Sequence, residues 1–346
     1  MYNSIFIIFI ILFIFYPVKK HPFWDQQPVA RNNTLPYGNI SINPRFNINL
    51  QNKYIFKSSN LSTSTFDFIN THFSPYNKFN TTFLMETLVY NGRGKVHNIE
   101  LFKDNKLVGF IHAKPIDIML NKIELPVYYV DFLCIHTENR RENLSTYLIA
   151  ELINRCHQTQ IFVFKKDNTP LPFNYVAKTT YFYKFIKDIK KVAITHTFHK
   201  NPSNLRDIYD FIQSIKKDYQ CYDILQFEDF KKIYVDTLSK NIIVEYRGDT
   251  IVCVILYVNN LFTYNDKYHN TLDIEYIYCR GDTQIIDYLK HIYVSPNTII
   301  TCLEQMNNLY FIKKYGFTKS MDLFYHMYNY TINKILDTDR IAFNPL

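Results

Sequence analysis

The chain of 346 residues has only 7 glycines, one tryptophan and six cysteines, and its charges nowhere gather into blocks. The cysteines, Cys134, Cys156, Cys221, Cys253, Cys279 and Cys302, are widely spaced, and most of them sit inside or beside apolar runs. That spacing contains no zinc pattern and no disulfide framework, so the expectation is reduced thiols buried in a core and no bound metal. Lys and Arg number 39 against 31 Asp and Glu, giving a net charge of +8. Such an excess suits an anionic partner, but without a basic patch nucleic acid is not expected. What the chain has is apolar bulk: 47% hydrophobic and 17% aromatic residues, enough for a sizeable core. The length allows two or three domains, or one large double unit.

The amino terminus stands apart. Ile5 to Tyr16 is a nearly unbroken apolar run, stopped by Pro17 and followed by Lys19 and Lys20. It has neither the positive charges in front nor the small residues behind that mark a signal peptide. Residues 1–18 therefore read as a short membrane anchor or a leader, at the lower limit for a spanning helix of roughly 20 residues. If the run inserts, Lys19 and Lys20 keep the rest of the chain on the cytoplasmic side, so the expected location is cytoplasmic, with or without a membrane tether. Asn-X-Ser/Thr sequons at Asn60 and Asn80 arise by chance in an Asn-rich chain and do not establish secretion.

The remainder repeats one plan. Ile99–Phe102 and Leu107–Ile111 flank the polar set Lys103-Asp104-Asn105-Lys106 and read as a β-hairpin. Ile242–Tyr246 and Ile251–Val258 repeat this around Arg247-Gly248-Asp249-Thr250. After the first hairpin come a strand at Val127–Ile135, a helix near Asn143–Cys156 and a strand at Ile161–Phe164. After the second come a strand at Leu272–Cys279, a helix near Gln284–Ile292 and a strand at Thr298–Leu303. Leu144, Leu148, Leu152 and Cys156 recur every four residues and give the first helix one apolar face. Phe311 to Phe317 is an amphipathic helix end stopped by Gly316. The predicted class is α/β, a mixed sheet flanked by helices in two tandem halves, 19–200 and 201–346, forming one unit.

Val130-Asp131-Phe132-Leu133-Cys134-Ile135-His136, with Arg140 and the helix that follows, closely resembles N-myristoyltransferases, whose fold is two acetyltransferase-like halves. His21-Pro22-Phe23-Trp24-Asp25-Gln26-Gln27-Pro28-Val29 resembles the Phe-Trp-X-X-Gln-Pro-Val segment with which that family wraps CoA. Asn105–Ile111, Leu171-Pro172 followed by Tyr181, Leu303–Asn308 before Phe311, and Tyr328-Asn329 continue the resemblance in order over most of residues 21–346.

The resemblance implies a glycylpeptide N-tetradecanoyltransferase: myristate passes from myristoyl-CoA, a co-substrate and not a permanent cofactor, to the N-terminal glycine amine of a protein. The backbone amides of Phe132 and Leu133 would hold the developing oxyanion, and the carboxylate of Leu346, at the end of the apolar tail from Ile341, would serve as base. His21, Pro22, Phe23, Trp24, Phe132, Leu133, Cys134 and Ile135 would bind acyl-CoA, as would Arg140, Arg141, Glu142, Asn143, Leu144 and Ser145 at the helix start. This chain departs from the family where Glu142 and Asn143 replace basic positions. Its Thr-Ala-Gly segment becomes Asp167-Asn168-Thr169, and its glycine-rich turn becomes Thr318–Asp322. An acidic loop is missing between Phe73 and Phe83. These departures leave two alternatives open: an N-acyltransferase of different acyl length, or a catalytically weakened, membrane-associated protein that binds acyl-CoA or lipopeptide.

Overall fold

The computed structural model describes residues 46–74, 77–89, 94–171, 175–264, 267–293, 295–306 and 308–344. The apolar run of residues 5–16, the segment from His21 to Val29 and Leu346 lie outside the described residues. In chain order come β1 (Tyr54–Ser58), α1 (Thr63–His72), β2 (Asn77–Lys78), α2 (Thr81–Val89), β3 (His97–Lys103), β4 (Lys106–Leu120), β5 (Ile123–Ile135), α3 (Leu144–Arg155), β6 (Phe162–Asp167) and β7 (Ala177–Phe185). Then follow β8 (Thr197–Lys200), α4 (Leu205–Lys216), β9 (Cys221–Ile224), α5 (Phe227–Tyr234), β10 (Lys240–Arg247), β11 (Thr250–Tyr264), β12 (Lys267–Cys279), α6 (Ile285–Ile292), β13 (Thr298–Leu303), α7 (Asn308–Tyr315), β14 (Thr318–Tyr328) and β15 (Ile341–Ala342).

Both hairpins form where the turn residues require them. Asp104 and Asn105 adopt φ of 48° and 64°, the pair of left-handed residues that matches the twist of two antiparallel strands, and Asp and Asn tolerate that region better than most residues. In the second hairpin Gly248 supplies φ of 59°. The repeated order, hairpin, long strand, helix, parallel strand, is present in both halves, as expected for two acetyltransferase-like units. A single mixed sheet runs β1-β3-β4-β5-β6-β14-β7-β13-β12-β11-β10-β8. Its middle holds the halves together, because β14 of the second half pairs with β6 and β7 of the first, and β7 pairs with β13.

Each half packs its crossover helix onto the sheet. Leu144, Leu148, Leu152 and Cys156 form one buried face with Ile99, Leu101, Val108 and Ile111. Gly109 on β4 permits this close approach, since a Cβ there would lie 2.8 Å from Leu148 Cδ1. In the second half Ile285, Ile286 and Leu289 of α6 pack on Ile255, Ile274 and Ile300. Gly316 ends α7 with φ of 60°, the left-handed residue of a helix stop.

The expectation of six reduced thiols needs correction. Cys253 and Cys279 form a disulfide, while Cys134, Cys156, Cys221 and Cys302 are free and buried. The two bonded residues lie directly opposite in the β11–β12 ladder, with Cα atoms 4.1 Å apart. A sequence separation of 26 conceals that cross-strand register. Among the described residues, no helix is long and apolar enough to cross a membrane.

Leu148 is fully buried against a glycine whose neighbours have little freedom to collapse. Leu148→Ala is therefore expected to cost about 2–5 kcal/mol, read as a lower urea midpoint with an unchanged slope.

Candidate active site

The strand end singled out in the sequence is a β-bulge. Phe110 pairs with Cys134 and His112 with Asp131, so Ile111 alone faces both Phe132 and Leu133. Phe132 takes φ of +53°, an uncommon conformation for a bulky residue, which persists only when its surroundings fix it. They do so here through its ring, which is buried at 5.1 Å from Phe73, 5.5 Å from Phe79 and 6.2 Å from His112 between centroids. On its other edge β5 pairs in parallel with β6 only from Tyr128 to Val130. Beyond Val130 the two strands part, and the bulge lies at the mouth of that opening. The Phe132 N–H donates to Asp131 Oδ1 at 2.8 Å, and Asp131 Oδ2 accepts from the Tyr129 hydroxyl at 2.9 Å.

Below the bulge the chain makes a 3-10 turn, Thr137–Asn139, before α3 begins. Arg140 and Arg141 are exposed. The Arg140 guanidinium donates to the carbonyls of Ile135 (3.4 Å) and His72 (3.2 Å), tying the turn to α1, where the His72 and His136 rings stand 4.5 Å apart. Burial, followed by His136 and Arg140, holds the His72 pKa below its ordinary value. Glu142 accepts from Lys103 Nζ at 2.8 and 3.0 Å, from Asn139 Nδ2 at 2.7 Å and from the Tyr54 hydroxyl. Led by the Lys103 contact, these bonds hold its pKa down at about 2. The replacement of a basic position by Glu142 is therefore a structural substitution, because its carboxylate pins the turn to β1 and β3. Asn143 bends the chain into the helix with φ of 54° and makes no side-chain cap, though its carbonyl accepts from the Thr146 N–H at 3.1 Å. Leu144 and Ser145 are buried behind it.

The second half repeats the geometry with different chemistry. β12 and β13 pair in parallel from Asn270 to Ile274 and then part. A register shift on β12 sets Leu256 against Tyr276 and Tyr257 against Ile274, so Glu275 is the extra residue. Its buried carboxylate accepts from Lys240 Nζ at 2.5 Å and from the Tyr234 hydroxyl at 3.0 Å, and its carbonyl accepts from Gln305 Nε2 at 3.2 Å. Glu275, Lys240 and Tyr234, with Lys114, Tyr276 and Asn344, line a cavity of about 90 Å³.

The tail enters this region from behind. Ile341–Ala342 pair in parallel with β9, the Phe343 carbonyl accepts from the Tyr325 hydroxyl at 2.9 Å, and the Asn344 N–H donates to the Tyr276 hydroxyl at 2.9 Å. Lys165 Nζ, on β6 just past the point where β5 leaves it, donates to Asn344 Oδ1 at 3.3 Å. Burial lowers the Lys165 pKa against the pull of Asp131 and three further carboxylates.

The fold thus gathers Phe132, Leu133, Cys134 and Ile135 at the bulge, and Arg140 to Ser145 in the turn and helix start directly beneath it. Cys134 and Ile135 are core residues, and burial raises the Cys134 thiol pKa. His21, Pro22, Phe23, Trp24 and Leu346 lie outside the described residues. No group of metal-binding side chains occurs among the described residues. Sequence reading missed Lys114, Lys165, Lys240 and Glu275. Their only signal was a charge set inside an apolar strand, as in Ile111-His112-Ala113-Lys114-Pro115-Ile116.

Known proteins share this architecture. The family model for the N-terminal domain of myristoyl-CoA:protein N-myristoyltransferase matches residues 50–166. A putative glycylpeptide N-tetradecanoyltransferase of Amsacta moorei entomopoxvirus is 25% identical over 303 residues, which are 88% of this chain and 89% of that protein. A glycylpeptide N-tetradecanoyltransferase of Plasmodium falciparum is 43% identical over 58 residues, but the match spans only 14% of its length. Saccharomyces cerevisiae N-myristoyltransferase with bound myristoyl-CoA superposes with a TM-score of 0.75 at 16% identity, covering 91% of this chain and 93% of that one.

Glu142 provides a pH test of the turn. Its folded-state pKa is depressed to about 2, so its stabilisation is present above its ordinary value near about 4.5 and is lost as pH falls from there towards about 2. The urea midpoint of Glu142→Gln should lie below that of the unaltered protein at neutral pH, with the gap closing as pH is lowered through this window.

Proposed function

Because the chain belongs to the N-myristoyltransferase family, we propose that it transfers myristate from myristoyl-CoA to the N-terminal glycine amine of proteins. The observation that carries this reading is the Phe132–Leu133 bulge at the parting of β5 and β6. Adjacent amides there can receive an oxygen that gains charge as a thioester is attacked. The start of α3, which has no side-chain cap and has Arg140 and Arg141 nearby, suits the phosphates of CoA. The cavity lined by Lys114, Glu275 and Asn344 suits the glycine end of a peptide. The amine attacks the thioester directly, and the carboxylate of Leu346, two residues beyond the buried Asn344, accepts its proton. Such a base is well matched to its task, since an α-amino group has a pKa near about 8 and burial raises that of a carboxylate.

One observation favours the reading of a weakened acyl-CoA binder. The Phe132 N–H is already engaged by the Asp131 carboxylate, a charged competitor for any oxyanion. The transfer reading requires Asp131 to yield that donor, and Tyr129 is its remaining partner.

A transfer assay with a panel of acyl-CoAs and glycine peptides separates the readings. Myristoyl transfer is expected, with a loss on the order of 100-fold when residues are appended after Leu346 and the carboxylate is displaced. Binding of myristoyl-CoA without turnover would instead establish the weakened binder. Preferential turnover of a shorter acyl-CoA would establish the alternative transferase.

A further inference from the structure

Lys114 is a buried lysine that the reading above does not use. It lies on β4 opposite Tyr129 of β5, and two residues along, His112 lies opposite Asp131. Cross-strand partners and alternate residues share one sheet face, so Lys114 projects on the face that carries Asp131, which holds the Phe132 amide. Its ammonium group stands 5.9 Å from the Tyr129 ring centroid and lines the cavity, and the residue is only 6% exposed. It makes no hydrogen bond or ion pair among the described residues. A permanently charged ammonium so placed is costly.

Every element around Lys114 contributes a charged or titratable group. β5 brings Tyr129 and Asp131, β6 brings Lys165, and β10 and β12 bring the ion-paired Lys240 and Glu275. His112 and Asp117 come from β4 itself, Tyr234 and Asp229 from α5, Asp223 from β9 and Glu86 from α2. Burial first, then Lys240, pushes the Lys114 pKa down to about 7, with Glu275 and Asp131 opposing and Lys165 assisting. A lysine tuned in this way can exchange protons near neutrality.

Turning a glycine ammonium into an amide removes two protons from nitrogen, one before attack and one from the tetrahedral adduct. The Leu346 carboxylate of the proposed reaction accounts for the first. We propose that Lys114 is the carrier of the second. Its neutral amine accepts a proton from the adduct nitrogen as the carbon–sulfur bond breaks and the amide is completed, and the resulting ammonium hands that proton to the departing CoA thiolate. This assignment rests on the transferase reading.

The test is single-turnover myristoyl transfer by the full chain, by Lys114→Met and by Lys114→Arg, followed from about pH 5.5 to 9. The unaltered protein should lose rate below a midpoint near 7, the value of Lys114. Both variants should bind myristoyl-CoA normally, transfer roughly 100-fold more slowly and lack that limb. Arg keeps the charge but cannot release a proton, so activity retained by Lys114→Arg and lost by Lys114→Met would mark a purely electrostatic role and overturn the proposal. An unchanged rate and limb in Lys114→Met, or loss of myristoyl-CoA binding in both variants, would overturn it as well. Those results leave the transferase reading standing. Absence of transfer by the unaltered protein overturns that reading and the role of Lys114 with it.

Discussion

Parallel pairing that stops early is the constraint on which the rest of this molecule depends. β5 and β6 are bonded over three residues and β12 and β13 over five, after which each pair parts inside an otherwise continuous sheet. Backbone amides released in a sheet interior are costly to leave unpaired, so each opening must be filled by a side chain, a tail or a ligand. In the first half Asp131 takes up the Phe132 amide. In the second half Gln305 takes up the Glu275 carbonyl. The parted strands do not separate further because β14 and β7 lie between β6 and β13 and bind both halves into one sheet.

The openings explain why charge is buried at the centre of so apolar a protein. Lys114, Lys165, Lys240, Asp131, Asp273 and Glu275 come from five different strands, and they meet where the pairing fails. An ion pair such as Lys240–Glu275 gains little net stability after desolvation, although removing one partner would leave an uncompensated charge. Its value here is positional. It fixes the wall of the cavity and, through Tyr234, ties α5 to the sheet. Lys114 differs because it makes no ion pair among the described residues, and shedding its proton is the cheapest way for such a group to remain buried.

Much of this fold was legible in the sequence, and the exceptions share a cause. The two hairpins, the crossover helices and the parallel strands carried local signals: Asp104-Asn105 for a turn, leucines every four residues for α3, Gly316 for the end of α7. α1, rich in Ser, Thr and Asn, and α2, whose apolar residues are split between the buried Leu84 and Leu88 and the exposed Met85 and Val89, are set by packing on Phe110 and Phe132. β7 and β14 were not read because their partners come from the opposite half. The Cys253–Cys279 bond likewise depends on strand register, which no local pattern displays. At the site, the bulge residues were found by resemblance, and the +53° φ of Phe132 has no sequence signature in a side chain of that size. Lys114 and Glu275 were visible only as charges inside apolar runs, a signal that marks a buried group without saying what surrounds it.

Duplication gives the site its division of labour. A bulge in β5 takes Phe132 and Leu133 out of the one-to-one ladder at the first opening, while the matching bulge in β12 makes Glu275 the extra residue at the second. Two copies of one strand break thus present two kinds of group, backbone amides at the first opening and ionisable side chains at the second. The tail from Ile341 to Asn344 runs to the wall between them, held by Tyr325, Tyr276 and Lys165. The proposed acyl transfer to an amine draws on both kinds of group. A single acetyltransferase-like half supplies one opening, and the sheet made continuous by β14 and β7 is what brings the second opening beside it.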